Sequence, residues 1–176
     1  MQSKLNPVKW GVVLAILTIL LGFVLGAAMG GAEPQIREYW TASAQPIFST
    51  AYNNDNQKIV VMVDRSWKML QRAHMHAAAI GAASLILMYI LACLNVSNLY
   101  KKWIALLLGI GSLGYSISWL YTAFAAPVVG SIPVAKASIH ILAASSIVML
   151  LLGTVVVLAL SLKTLLSNES ADSKNN

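Results

Sequence analysis

The chain has 176 residues, 58% of them hydrophobic and only 10% charged, where soluble domains carry about a quarter charged residues. A water-soluble core of this size has no room for so much apolar surface, so lipid must solvate part of it. The excess of twelve Lys and Arg over six Asp and Glu, a net +6, points to anionic headgroups as partners. It does not point to nucleic acid, because no basic run is interleaved with aromatics.

Crossing roughly 30 Å of hydrocarbon takes about 20 apolar residues in a helix. Four such runs occur, at 10–32, 73–96, 103–126 and 133–162. They predict an all-α integral membrane protein, a four-transmembrane-helix bundle with both termini on one side. The first run follows a short basic N-terminus (1–9) and closes on Ala27, Ala28, Met29, Gly30, Gly31 and Ala32. That outline also fits a secretory signal peptide. The run is longer than the roughly 7–15 residues of a signal core, so it reads as an uncleaved anchor. Gly22, Gly26 and Gly30 recur along it, forming a face for close helix packing and, secondarily, a seat for a flat ligand.

Residues 33–72 are the one sizeable extramembrane segment. The first part, with Pro34, Pro46 and the polar patch 52–56, reads as loop. Over 58–72, Val60, Val63, Trp67 and Leu70 recur at three- and four-residue steps, with Asp64, Arg65, Lys68 and Arg72 on the other face. This predicts an amphipathic helix lying on the interface and running into the second span. Arg65, Lys68 and Arg72 would then meet lipid phosphates, as would Lys136 by snorkelling at the start of the last span.

The 97–102 loop is so short that the second and third spans must be antiparallel neighbours. In the outer loop 127–132, Pro127 ends the third span, and Ser131 caps the fourth ahead of Pro133. Residues 163–176 form a polar tail, disordered beyond Ser167.

Counting Lys and Arg on the two sides gives a tie. Lys4, Lys9, Lys101, Lys102, Lys163 and Lys174 face Arg37, Lys58, Arg65, Lys68, Arg72 and Lys136. The acid-free basic N-terminus favours both termini in the cytoplasm, in a bacterial inner (plasma) membrane.

The three histidines carry the chemical interest. His74 and His76 open the second span, and His140 lies about two turns into the fourth. Those spans cross in the same direction, so all three approach one leaflet in either orientation. Each is near a helix N-terminus, where the macrodipole and burial both favour neutral imidazole, the form that ligates metal or haem iron. His74 and His76 project about 200° apart on an ideal helix, so at most one shares the interior with His140. Tyr115, Ser118 and Thr122 fall on one face of the third span at the same depth, with Trp119 beside them.

Two readings of this cluster stand. In one, a histidine of the second span and His140 hold a b-type haem, or copper or another metal with Met75 as a further donor. In the other, the histidines hydrogen-bond to headgroups, carbonyls or Tyr115. The string from Arg72 to Gly81 (Arg-x-His-x-His-x4-Gly) resembles small membrane haem and metal proteins by analogy only. Cys93, the sole cysteine, offers no disulfide or thiolate cluster. No P-loop, nucleophile elbow or HExxH motif marks an enzyme.

The function expected first is an electron-transfer subunit. The second is a non-catalytic accessory or assembly subunit bound to other membrane-protein subunits. A small-molecule transporter ranks last, because no charge is buried at mid-span and no internal repeat appears.

Overall fold

The structure, a computed structural model, describes residues 5–172, with side chains through Ser167. No strand occurs among them. A 3-10 turn leads into α1 (Lys9–Gly31), followed by α2 (Glu33–Ala44), α3 (Asn56–Cys93), α4 (Asn98–Val129), α5 (Ile132–Ser138) and α6 (His140–Asp172). Four helical stretches, Asn6–Gly31, Asn56–Cys93, Asn98–Val129 and His140–Ser167, are long and apolar enough to cross a membrane.

The central helix is α4. It packs against α1, α3 and α6, whereas α6 rests on α4 and meets α3 only lightly. So α1, α3 and α4 form a three-helix bundle with α6 added alongside α4, and the four helices do not enclose one shared interior. Small residues make the close contacts. A Cβ on Gly11 of α1 would run into the backbone of Ala105, and one on Gly109 of α4 would lie 2.9 Å from the Gly11 carbonyl oxygen. The hydroxyls of Thr18 and Ser112 meet across the same contact at 3.3 Å.

Helix ends follow local chemistry. Asp55 caps α3 by accepting the Gln57 N–H at 2.8 Å, and Ser97 caps α4. The buried Lys101 ammonium donates to the Ala92 carbonyl at 2.8 Å, satisfying an orphan acceptor at the end of α3. Gly130, at φ +68, ends α4 in the left-handed conformation that glycine tolerates best. Ser131 caps α5 by accepting the Val134 N–H at 3.4 Å.

Five expectations are corrected. Residues 33–44, read as loop, are helix α2. Pro34 sits in the first turn, where its missing N–H costs nothing. Arg37 bonds Glu33 one turn back at 2.7 Å and Asp64 of α3 at 2.8 Å. Trp40 is fully buried behind them. The 58–72 segment does not lie flat as a separate helix: it continues the second span as one 38-residue helix, about 57 Å long. Val63, Trp67 and Leu70 pack with α2 and the end of α4, so protein covers most of the face expected to meet lipid, and Val60 is left exposed.

The third helix begins at Asn98 and runs through Pro127 to Val129, not over 103–126, so the connection before it shrinks to 94–97. The fourth is broken at Ile139, so His140 is the first residue of α6, not two turns inside a helix. Helix α6 also continues through Asp172, where a polar disordered tail was expected. Lys4 and Lys174 lie outside the described residues.

Candidate functional site

The divergence of His74 and His76 is realised on two different neighbours. The His74 ring turns to α1, and its Nδ1–H donates to the Gly22 carbonyl at 2.8 Å. Gly26 makes room for it: a Cβ there would lie 2.8 Å from the ring. Gly22 brings α1 against the backbone of Ala78, whereas Gly30 has nothing within 4 Å. Two of the three glycines therefore serve helix contact, and one histidine is part of it.

His76 turns to α4. Its Nδ1 lies 2.7 Å from the Arg72 carbonyl oxygen, and since a carbonyl only accepts, Nδ1 carries the proton. The ring stacks on Trp119 at 5.4 Å with 27° between planes, and meets Tyr115 edge-on at 5.4 Å. Trp119 also attracts two cations. The Arg72 guanidinium stands 5.4 Å from its ring centroid, and the Lys136 ammonium of α5 stands 4.9 Å away. Neither cation has a carboxylate partner among the described residues. The indole Nε1–H is buried and has no hydrogen-bond acceptor.

Beside this hub is a crevice of about 170 Å³ lined by Tyr115, Ser118, Trp119, Thr122, Lys136, Ile139, His140 and Ala143. Tyr115, Ser118 and Thr122, predicted to share a face, thus come together with His140 and Lys136. The hydroxyls are already engaged: Ser118 donates to the Tyr115 carbonyl at 2.7 Å, and Thr122 to that of Ser118 at 2.8 Å. The walls are left largely apolar. Arg65 and Lys68 are not part of this site. Arg65 lines a separate pocket nearer the start of α3, with Lys58 and Tyr52.

Haem can be tested against this geometry. A bis-histidine haem needs two opposed imidazoles across a flat slot. Here His74 is held by α1, Trp119 occupies the stacking space beside His76, and the crevice at His140 falls below the roughly 300–1,000 Å³ of ordinary small-molecule sites. These residues do not fit haem. Nor, among the described residues, do three His, Cys, Asp or Glu side chains come together to hold a metal ion.

Sequence reasoning placed Trp119 beside the right face but not at its centre. The signal was its four-residue step from Tyr115 together with the position of Arg72. The chain matches no protein-family model, and no curated protein or solved structure proves similar to it.

Proposed function

We propose that this chain is a non-enzymatic four-helix membrane protein that holds one anionic phospholipid at one leaflet. Arg72, Lys136 and Trp119 would take the phosphate-bearing head, and the crevice running to His140 would take the start of an acyl chain. The observation that carries this reading is the convergence of two unpaired cations on one indole ring. From their distances to the ring, the two charges stand at most about 10 Å apart. At an effective dielectric near 20 they repel by roughly 1.7 kcal/mol. A phosphate between them turns that repulsion into attraction, and its oxygens are acceptors of the kind the Trp119 N–H lacks. The apolar walls of the crevice suit hydrocarbon. With both termini cytoplasmic, as the basic N-terminus favours, the lipid would sit in the outer leaflet of a bacterial inner membrane.

Native mass spectrometry of the protein taken from mixed phosphatidylcholine and phosphatidylglycerol nanodiscs tests this. One phosphatidylglycerol should be retained in preference to phosphatidylcholine, and Arg72→Gln or Lys136→Gln should abolish the preference. Equal retention of the two lipids, or a preference untouched by both substitutions, would refute it. A Soret band in the purified protein would refute it in favour of the haem reading.

A further inference from the structure

A second pocket lies toward the start of α3, and no role so far described uses it. It measures about 290 Å³ and is lined by Ala51, Tyr52, Gln57, Lys58, Val61, Met62, Arg65 and Gly130. Three elements build it: the turn before α3, the first turns of α3 and the end of α4. The Tyr52 side chain is buried and locks the turn to α4 by donating to the Pro127 carbonyl at 2.8 Å. Gly130 closes the contact from the other side, since a Cβ on it would lie 2.5 Å from that of Ala51. The walls are therefore fixed by packing and are not a chance meeting of loops.

Its charge is one-sided. Lys58 and Arg65 are seven residues apart, so they share one face of α3 about two turns from each other. Both are exposed, and neither forms an ion pair among the described residues. None of the acids on this side forms an ion pair with either cation. The Asp55 carboxylate accepts the Gln57 N–H, Glu33 and Asp64 both bind Arg37, and Glu38 forms no ion pair. Between the cations the floor is apolar, made by Val61, the buried Met62 and the Tyr52 ring.

The pocket also stands clear of a bilayer whose hydrocarbon begins at Cys93, the far end of α3. About 20 residues counted back from Cys93 span the hydrocarbon and end near His74. Arg65 then lies about 13 Å, and Lys58 about 24 Å, beyond that level along the axis. Lipid headgroups reach only about 5–8 Å past the hydrocarbon, so a headgroup is not the occupant.

We propose that this pocket is a water-facing binding site for a small organic anion, a phosphate monoester with a short apolar body. The phosphate would lie between Lys58 and Arg65, and the body would lie on Met62, Val61 and Tyr52. The proposal is independent of the lipid reading, since the two sites share no side chain.

Isothermal titration of the protein in phosphatidylcholine nanodiscs with hexyl phosphate tests it, with inorganic phosphate as the headgroup-only probe. Hexyl phosphate should bind saturably at one per chain and more tightly than inorganic phosphate. The double substitution Lys58→Gln, Arg65→Gln should weaken it by about tenfold or more. Both side chains are exposed, so the helical circular dichroism should not change. Val61→Asp, also at a partly exposed position, should weaken binding by placing a like charge in the pocket. Arg72→Gln with Lys136→Gln should leave it unchanged. The proposal fails if hexyl phosphate does not saturate, if the Lys58/Arg65 double variant binds as well as wild type, or if binding is lost only in the Arg72/Lys136 variant.

Discussion

Replacing Gly26 with alanine puts a methyl group 2.8 Å from Cε1 and 3.1 Å from Nδ1 of His74. Carbon atoms rest at about 3.5–4.0 Å, so the imidazole must retreat by at least about 0.7 Å. Its bond to the Gly22 carbonyl starts at 2.8 Å and weakens as the ring withdraws. Overpacking of this kind costs about 1–3 kcal/mol, and an interhelical hydrogen bond between membrane helices adds about 0.6. Set against the helix propensity that alanine gains over glycine, worth up to about 1 kcal/mol, Gly26→Ala should therefore destabilise the protein by about 1–2.5 kcal/mol. Reversible unfolding in mixed micelles, followed by helical circular dichroism, measures this. In a His74→Ala background the methyl meets no ring, and the penalty should fall below about 1 kcal/mol, a coupling well above the 0.3–0.5 or so of independent sites. Gly30→Ala is the control: nothing lies within 4 Å, so it should be neutral or stabilise by up to about 1 kcal/mol through helix propensity. Equal costs for Gly26→Ala in the two backgrounds would show that His74 is not the partner of this face.

Two further perturbations probe the ends of the helices. Lys101→Met removes a buried ammonium and strands the Ala92 carbonyl. It should cost about 1.5–3 kcal/mol in the same unfolding assay, with Lys101→Arg recovering part of the loss. Burial raises the Tyr52 phenol above its ordinary value. The folded state thus holds the phenolic proton more tightly than the unfolded chain does. Its contribution is complete below about pH 10 and is lost as pH rises from there through the higher folded value. Stability should therefore decline more steeply above pH 10 in the wild type than in Tyr52→Phe, and identical alkaline profiles would remove Tyr52 from the account.

Hydropathy was enough to find the four long helices, because lipid-facing residues need no particular partner and the signal is summed over twenty positions or more. The parts it missed depend on tertiary neighbours. Pro34 and Pro46 argue for loop when counted as residue types, yet α2 forms because Pro34 falls in a first turn and Trp40 finds a buried place. The face of Val63 and Leu70 reads as a lipid-contacting stripe, since periodicity cannot tell a bilayer surface from the helix α2 that covers it. The break at Ile139 leaves little composition signal, since Ser138, Ile139 and His140 are middling helix formers and neither Gly nor Pro marks the place.

The site was legible in its depth and not in its directions. Antiparallel spans place His74, His76, His140, Lys136 and Tyr115 at one end by parity alone, and the crevice does unite the last three with Ser118 and Thr122. Which way each histidine of α3 points depends on what the adjoining helix offers. On α1, Gly22 and Gly26 leave a hollow in which the Gly22 carbonyl can accept a second hydrogen bond, and the His74 ring fills it. On α4, Tyr115 and Trp119 present aromatic surfaces, and His76 stacks there. A histidine near an unpaired lone-pair site looks like a metal ligand in sequence, but beside a glycine hollow or an indole it has an equally good use as a packing group. The cations pack over the same indole, yet that contact leaves their charge unneutralised. No acid lies on the end of α4 or on α5 to meet Arg72 and Lys136, which is why the proposed reading gives that place to a lipid phosphate.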